Sequence, residues 1–222
     1  MKKAAIILAG GSGKRFGGEK PKQFVSLLEK PIIEYSIDKF GRVVDEVVIV
    51  SHPDFVESLK STYGLMVVAG GETRQLSVKN GLESLYEKNI DYVAIHDSAR
   101  PLVSQHLIEE MFKVVLTKKA VIPVIPSFST MCRVEKGIIK GYIPREEVFL
   151  IQTPQLFDYN LIYDAHKMAF SEGKIDFTDD SQLLYCMGKE VFVINGEETN
   201  IKITTKFDLE LAENLIKKGI CY

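Results

Sequence analysis

Four cations crowd a short glycine run near the start of the chain. Leu8-Ala9-Gly10-Gly11-Ser12-Gly13-Lys14-Arg15-Phe16-Gly17-Gly18 leads into Lys20 and Lys22, so Lys14, Arg15, Lys20 and Lys22 fall within nine residues. Glycines let a backbone approach a ligand closely, and successive backbone N–H groups form a concavity that accepts an anion. A guanidinium forks two oxygens, while an ammonium acts as a compact charge. Arg15 among these lysines therefore fits a polyphosphate better than a single phosphate. Two familiar nucleotide motifs do not match. A Walker A loop needs Ser or Thr after Gly-Lys, where Arg15 stands, and a dinucleotide fingerprint begun at Gly11 needs glycine where Phe16 stands.

Such a loop needs a rigid element behind it. Short, β-branched apolar runs predict strands at Ala4–Ala9, Glu46–Ser51, Leu65–Ala69, Tyr92–His96, Ala120–Ile125 and Glu190–Asn195. Helical spacing lies between them at Ile32–Phe40, Pro53–Thr62, Thr73–Lys88 and Gln105–Lys118, the last behind a Ser104 cap. This alternation predicts an α/β fold: a Rossmann-like, mostly parallel sheet with helices on both faces. Ligands of such sheets sit beyond the carboxyl ends of the strands, where each motif found here falls. Met131–Glu135, Lys136-Gly137 and Ile138–Ile143 break the pattern and read as a β-hairpin with a two-residue turn. An isolated apolar ribbon is marginal in water. The segment 129–146 therefore either folds back on its own domain or, the sharper expectation, is a dimerisation arm on a single domain spanning 1–222.

Composition narrows the partners. The 222 residues hold 28 Lys+Arg against 30 Asp+Glu, with 45% hydrophobic residues, which is ordinary for a globular chain. A net charge of −2 argues against a broad basic surface for nucleic acid. No apolar run approaches the roughly 20 residues of a membrane span. Lys2-Lys3 before Ala4–Leu8 imitates a signal peptide, but Gly10-Gly11 ends the run at once and Lys14-Arg15 follow. The chain reads as cytoplasmic, with neither nucleic acid nor membrane as partner. Cys132, Cys186 and Cys221 are scattered and form no metal-binding spacing. His96 reads as a packed residue, and His52, His106 and His166 as surface or capping residues. Asp179-Asp180 read as the start of a helix behind Thr178. Arg74 either orders its loop or touches phosphate.

Leu8–Arg15 with Pro21-Lys22-Gln23-Phe24 resembles the signature of sugar-alcohol-phosphate cytidylyltransferases, most closely the 2-C-methyl-D-erythritol 4-phosphate family. The resemblance spans almost the full chain, through Gly70-Gly71-Glu72-Thr73-Arg74-Gln75-Leu76-Ser77-Val78, His96-Asp97-Ser98-Ala99-Arg100-Pro101, Ile143-Pro144-Arg145, Gln152-Thr153-Pro154-Gln155, Thr178-Asp179-Asp180 and Asn200-Ile201-Lys202-Ile203-Thr204. It implies CTP and a polyol phosphate as substrates, giving a CDP-polyol and pyrophosphate. It also implies Mg²⁺ at Asp97. Arg15 and Lys22 would neutralise the phosphates above a floor of Leu8, Ala9, Gly10, Gly11, Gly13 and Lys14. Gly70, Gly71, Glu72 and Ser77 would line the cytosine and ribose pocket, with Ser98 beside Asp97. Arg100, Thr130 and Thr153 would lie near the acceptor. Arg145 and Lys202 would orient its phosphate, Arg145 reaching from the neighbouring subunit of a homodimer.

In the resembled reaction the attacking group is a phosphate monoester. Its second pKa is near 6, so it is largely dianionic at neutral pH and needs no general base. The lack of a Ser/His/Asp or Cys/His constellation agrees with that. Ser129-Thr130 departs from the family's usual Asp-Thr. Ribitol 5-phosphate cytidylyltransferases share the Ala9-Gly10-Gly11 run, which makes ribitol phosphate the alternative acceptor. A non-catalytic CTP-binding regulator is the alternative of another class.

Overall fold

The computed structural model describes residues 1–11, 16 and 21–220, and only the backbone of Lys22. The expectations for Gly13, Lys14, Arg15 and the Lys22 side chain lie outside the described residues.

Strand β1 (Lys3–Ala9) leads to a 3-10 turn at Lys22–Phe24 and a ribbon of β2 (Ser26–Leu27) and β3 (Lys30–Pro31). There follow α1 (Ile32–Phe40), β4 (Glu46–Ser51), α2 (Val56–Tyr63), β5 (Met66–Ala69), α3 (Arg74–Ser84), β6 (Tyr92–Asp97), α4 (Gln105–Lys118) and β7 (Ala120–Pro126). β8 (Met131–Glu135) and β9 (Ile138–Ile143) make the hairpin. Then come β10 (Phe149–Ile151), β11 (Gln155–Asp158), α5 (Tyr159–Ser171), α6 (Asp180–Cys186), β12 (Phe192–Asn195) and α7 (Lys206–Lys217).

The main sheet is mostly parallel, as the alternation predicts. β1 lies between β4 and β6, β5 pairs with β4, and β12 pairs with β7, all parallel. The predicted strands are all present, two of them shorter at the start, at Met66 and Phe192. An antiparallel insertion was not foreseen. β11 runs antiparallel between β6 and β7, and β10 pairs antiparallel with β7. These two strands are only three and four residues long and flank Pro154, so they carry too little period to stand out.

Alternate residues of each central strand feed two cores. Ala4, Ile6, Val48 and Val50 face α3, α5 and α6 through Val78, Leu82, Ile162 and Leu184. Ala5, Ile7, Val47 and Ile49 face α1, α2 and α4 through Ile33, Phe40, Leu59, Leu107 and Met111. This two-sided burial explains why the strands read as unbroken apolar runs. A smaller cluster of Leu27, Ile32, Leu102, Ile203 and Ala212 seats α7 beside the ribbon.

The hairpin falls where the spacing places it. Lys136 and Gly137 both take left-handed conformations, with φ of 50° and 78°, as a two-residue turn between twisted strands requires. It forms its own two-stranded sheet, apart from the main one. Val134, Ile138, Ile139 and Tyr142 stand exposed on it. No helix among the described residues is long and apolar enough to cross a membrane.

Candidate active site

The carboxyl ends of β1, β4, β5 and β6 lie in register. Leu8 pairs with Asp97 and with Val50, and Ser51 pairs with Ala9 and Ala69. Each strand delivers its motif to one edge. Gly10 and Gly11 follow β1. The Gln23 amide, buried under the turn, donates to the Ala9 carbonyl. That bond ties the segment beginning at Lys22 to the end of β1. The Ser98 backbone N–H and hydroxyl both donate to the Leu8 carbonyl, at 3.1 and 2.8 Å, closing β6 onto β1.

Beyond β5 the Gly70-Gly71 turn is held by Ser77. Gly70 N–H donates to Ser51 O at 2.7 Å, Gly71 N–H donates to Ser77 Oγ at 3.1 Å, and Ser77 Oγ donates to Thr73 O at 2.9 Å. A Cβ on Gly70 would stand 2.8 Å from Ser77 Oγ and would displace the hydroxyl that braces the turn. Ser77 thus braces the loop, and Glu72 is exposed beside it. Thr73 caps α3, its Oγ1 accepting from Leu76 N–H at 3.1 Å.

Asp97 is the hub. It ends β6, is 9% exposed, and lies between two cations. Lys202 Nζ is 2.6 Å from Oδ2 and Arg74 Nε is 3.5 Å from Oδ1. Burial alone would raise the Asp97 pKa. The charges of Arg74, Lys202 and Arg100 overcome that and hold the carboxyl well below the usual range. Arg74 also holds Asp180, more closely, with Nη1 2.7 Å from Oδ2. Arg74 therefore orders its surroundings by bridging two carboxylates.

Thr153 is buried, and its hydroxyl accepts from Asp97 N–H at 3.1 Å. His96 completes the chain. Its Nε2 donates to Arg100 O at 3.1 Å, which leaves Nδ1 to accept from Thr153 Oγ1 at 3.2 Å. His96 is fully buried, as expected of a packed residue, and burial pushes its pKa down to about 3. The neutral ring is thus part of the native state, while the unfolded chain protonates near 6.5. Between those values the unfolded state binds more protons, so stability falls as pH falls. Urea unfolding at pH 7.5 and 5.0 should show a loss approaching about 1.4 kcal/mol per pH unit below 6.5. Replacing His96 with Asn should flatten that slope.

Other expected site residues stand further out. Arg100 spends its guanidinium on carbonyls, with Nη1 2.7 Å from Asn200 O and Nη2 3.4 Å from Ile151 O. Thr130 is exposed at the base of the hairpin. Arg145 follows the hairpin with its side chain 64% exposed and paired with Glu146, 3.3 Å away. It is not among the side chains gathered at Asp97.

Asp179 caps α6 as expected, its Oδ1 accepting from Ser181 N–H at 2.9 Å. His52 caps a turn, accepting from Asp54 N–H, and His106 is exposed. His166 is the exception: it is 1% exposed, on α5, and bonded to Asp180. Its isolation in the sequence hides a partner fourteen residues away. Asn200 and Gln152, both buried, also lie behind the site: Asn200 Nδ2 donates to Thr153 O and Gln152 Nε2 to Glu197 O, at 2.9 and 2.8 Å.

Residues 3–218 match the sequence profile of the 2-C-methyl-D-erythritol 4-phosphate cytidylyltransferase family. The chain belongs to that family. It is thereby an enzyme of the cytidylyltransferase class. A relative so named from Caldicellulosiruptor bescii is 41% identical over 226 residues, covering 99% of both chains. Another from Phocaeicola vulgatus is 38% identical, covering 97% of this chain and 100% of its own. A crystal structure of 4-diphosphocytidyl-2C-methyl-D-erythritol synthase from Anaerococcus prevotii superposes with a TM-score of 0.82 at 30% identity, covering 97% of this chain and 98% of the other. That of the Thermus thermophilus family member gives 0.82 at 31% identity, over 96% and 98%. Gly10-Gly11, Gly70-Gly71 and Asp97 lie at the strand-end edge described above, whereas Ile143-Pro144-Arg145 lies at the end of the hairpin.

Proposed function

We propose that this chain transfers the CMP unit of CTP to the phosphate of 2-C-methyl-D-erythritol 4-phosphate, a step of isoprenoid precursor synthesis. The observation that carries the reading is the ionised, buried Asp97 between Arg74 and Lys202, at the edge where Gly10-Gly11 and Gly70-Gly71 emerge. An acceptor phosphate oxygen attacks the α-phosphorus of CTP. A new P–O bond forms, and the bond to the β-phosphate oxygen breaks to release pyrophosphate. The dianionic nucleophile brings its own lone pair, so the protein's task is to overcome repulsion between two anions and hold them in line. Lys202, 40% exposed, is placed to meet the acceptor phosphate when it arrives. Gly70, Gly71 and Ser77 form the rigid wall suited to the nucleoside.

The residues present suit a divalent cation. Mg²⁺ is commonly held by one or two carboxylates plus substrate phosphates. Asp97 supplies one carboxylate that stays ionised, and no cluster of three metal-ligating side chains is found among the described residues. When bound, Mg²⁺ would offset the charge on the phosphates.

Measuring pyrophosphate release for each nucleoside triphosphate with methylerythritol phosphate or ribitol 5-phosphate tests the reading. Fast release is expected only from CTP with methylerythritol phosphate. Preference for ribitol phosphate, or CTP binding without turnover, would overturn it.

The same reading takes residues 1–222 as one domain whose arm, 129–146, pairs two copies. The exposed apolar side chains on β8, β9 and β10 support this, with Phe149 and Leu150 each about half exposed. Arg145 then serves the partner's site. Arg145→Ala and Lys202→Ala variants, each inactive alone, should recover about a quarter of parental sites when mixed and allowed to exchange, because half the dimers are mixed and each holds one intact site. No recovery would place Arg145 in its own subunit's site. Cys132 and Cys186, exposed and unbridged, support a cytoplasmic location.

A further inference from the structure

His166 lies on the apolar face of α5 with Ile162, Ala165 and Ala169, all buried. Its Nε2 is 3.1 Å from Asp180 Oδ1, and its Nδ1 is buried with no partner among the described residues. Burial would raise the Asp180 pKa, but Arg74 and the His166 hydrogen bond hold it down, so the carboxylate is ionised. An ionised carboxylate only accepts, so Nε2 donates to it. An unpartnered buried nitrogen costs about 1–3 kcal/mol. A leucine in this position would avoid that cost but would take from Asp180 Oδ1 its hydrogen bond.

Its one polar contact leads to the site. Asp180 Oδ2 holds Arg74 Nη1 at 2.7 Å, while Arg74 Nε stays 3.5 Å from Asp97 Oδ1. The tighter bond is to Asp180, so the guanidinium is held back from Asp97. Released, it could close on Asp97 in a bidentate pair, the geometry an arginine prefers with a carboxylate. Lys202 already occupies the other oxygen at 2.6 Å. Asp97 would then be saturated by its own protein.

We propose that His166 is a positioning residue for the transfer reaction: through Asp180 it fixes Arg74 at a distance that leaves Asp97 available. The inference rests on the reaction proposed above. Outer partners of this kind are typically worth 10–100-fold in activity or metal affinity.

The test compares the parent enzyme with His166→Leu, His166→Gln and Asp180→Asn in kcat, KM for CTP and thermal midpoint. His166→Leu should lose about tenfold in kcat. Gln places an amide N–H near the histidine Nε2 and should restore kcat to within about twofold. Asp180→Asn should lose at least as much as His166→Leu, and the double variant no more than Asp180→Asn alone. Parental kcat in His166→Leu, or equal losses with Leu and Gln, would overturn the inference. If the leucine variant does not fold, equal rates in Asp180→Asn and His166→Gln overturn it, and a loss confined to Asp180→Asn supports it. A parent inactive with CTP and methylerythritol phosphate would instead overturn the reaction itself.

Discussion

Asp97→Ala lowers turnover by about 10²-fold or more, the scale of removing one preorganised electrostatic partner from a transition state, and abolishes the response to Mg²⁺. The fold should survive the change. Arg74 keeps Asp180 at 2.7 Å, and Lys202 is exposed enough to be solvated once its partner is gone. A buried pair broken on one side is costly mainly where the remaining charge has no other partner, which is not the case here. Initial rates of pyrophosphate release across a Mg²⁺ titration, with circular dichroism as a folding control, check this. A variant that still follows Mg²⁺ like the parent would remove Asp97 from the metal and nucleotide site.

Arg15→Ala and Lys22→Ala are each expected to cost about 10²-fold or more in kcat, by the same electrostatic reasoning. Charge builds on the pyrophosphate as it leaves, and a cation that strengthens its contact at that moment lowers the barrier rather than merely tightening the ground state. Loss of kcat with little change in KM for CTP is the expected pattern. Lys22→Arg should recover part of the loss, since it restores charge without the same geometry. Near-parental turnover in both alanine variants would refute the role of the glycine loop. The segment at Lys22 is tied to β1 by the Gln23–Ala9 bond, so Gln23→Ala offers a milder route to the same defect.

Much of this was legible along the chain because it depends on local chemistry. Apolar runs on the central strands, a serine ahead of α4 and a Lys-Gly turn between two apolar stretches each state their own structure. Ser104 Oγ accepts from Leu107 N–H at 2.9 Å, and Lys136-Gly137 turns the hairpin, both as the residue types require. The succession of motifs announced the family.

Contacts between distant residues were not legible. Nothing near His166 or Arg74 in the chain says that they share one carboxylate, because Asp180 is brought to Arg74 across 106 positions. Likewise Thr153 and His96 resemble a substrate contact and a spare ring, and only folding reveals them as props for the Asp97 backbone. By itself, then, the amino-acid order determined which groups carry the charge and which strands present them, since side-chain type and hydropathy period are local properties. The tertiary structure alone decided how the charges offset one another around Asp97, because electrostatic balance depends on distances and burial that exist only once β1, β6, α3, α5 and α6 have packed together.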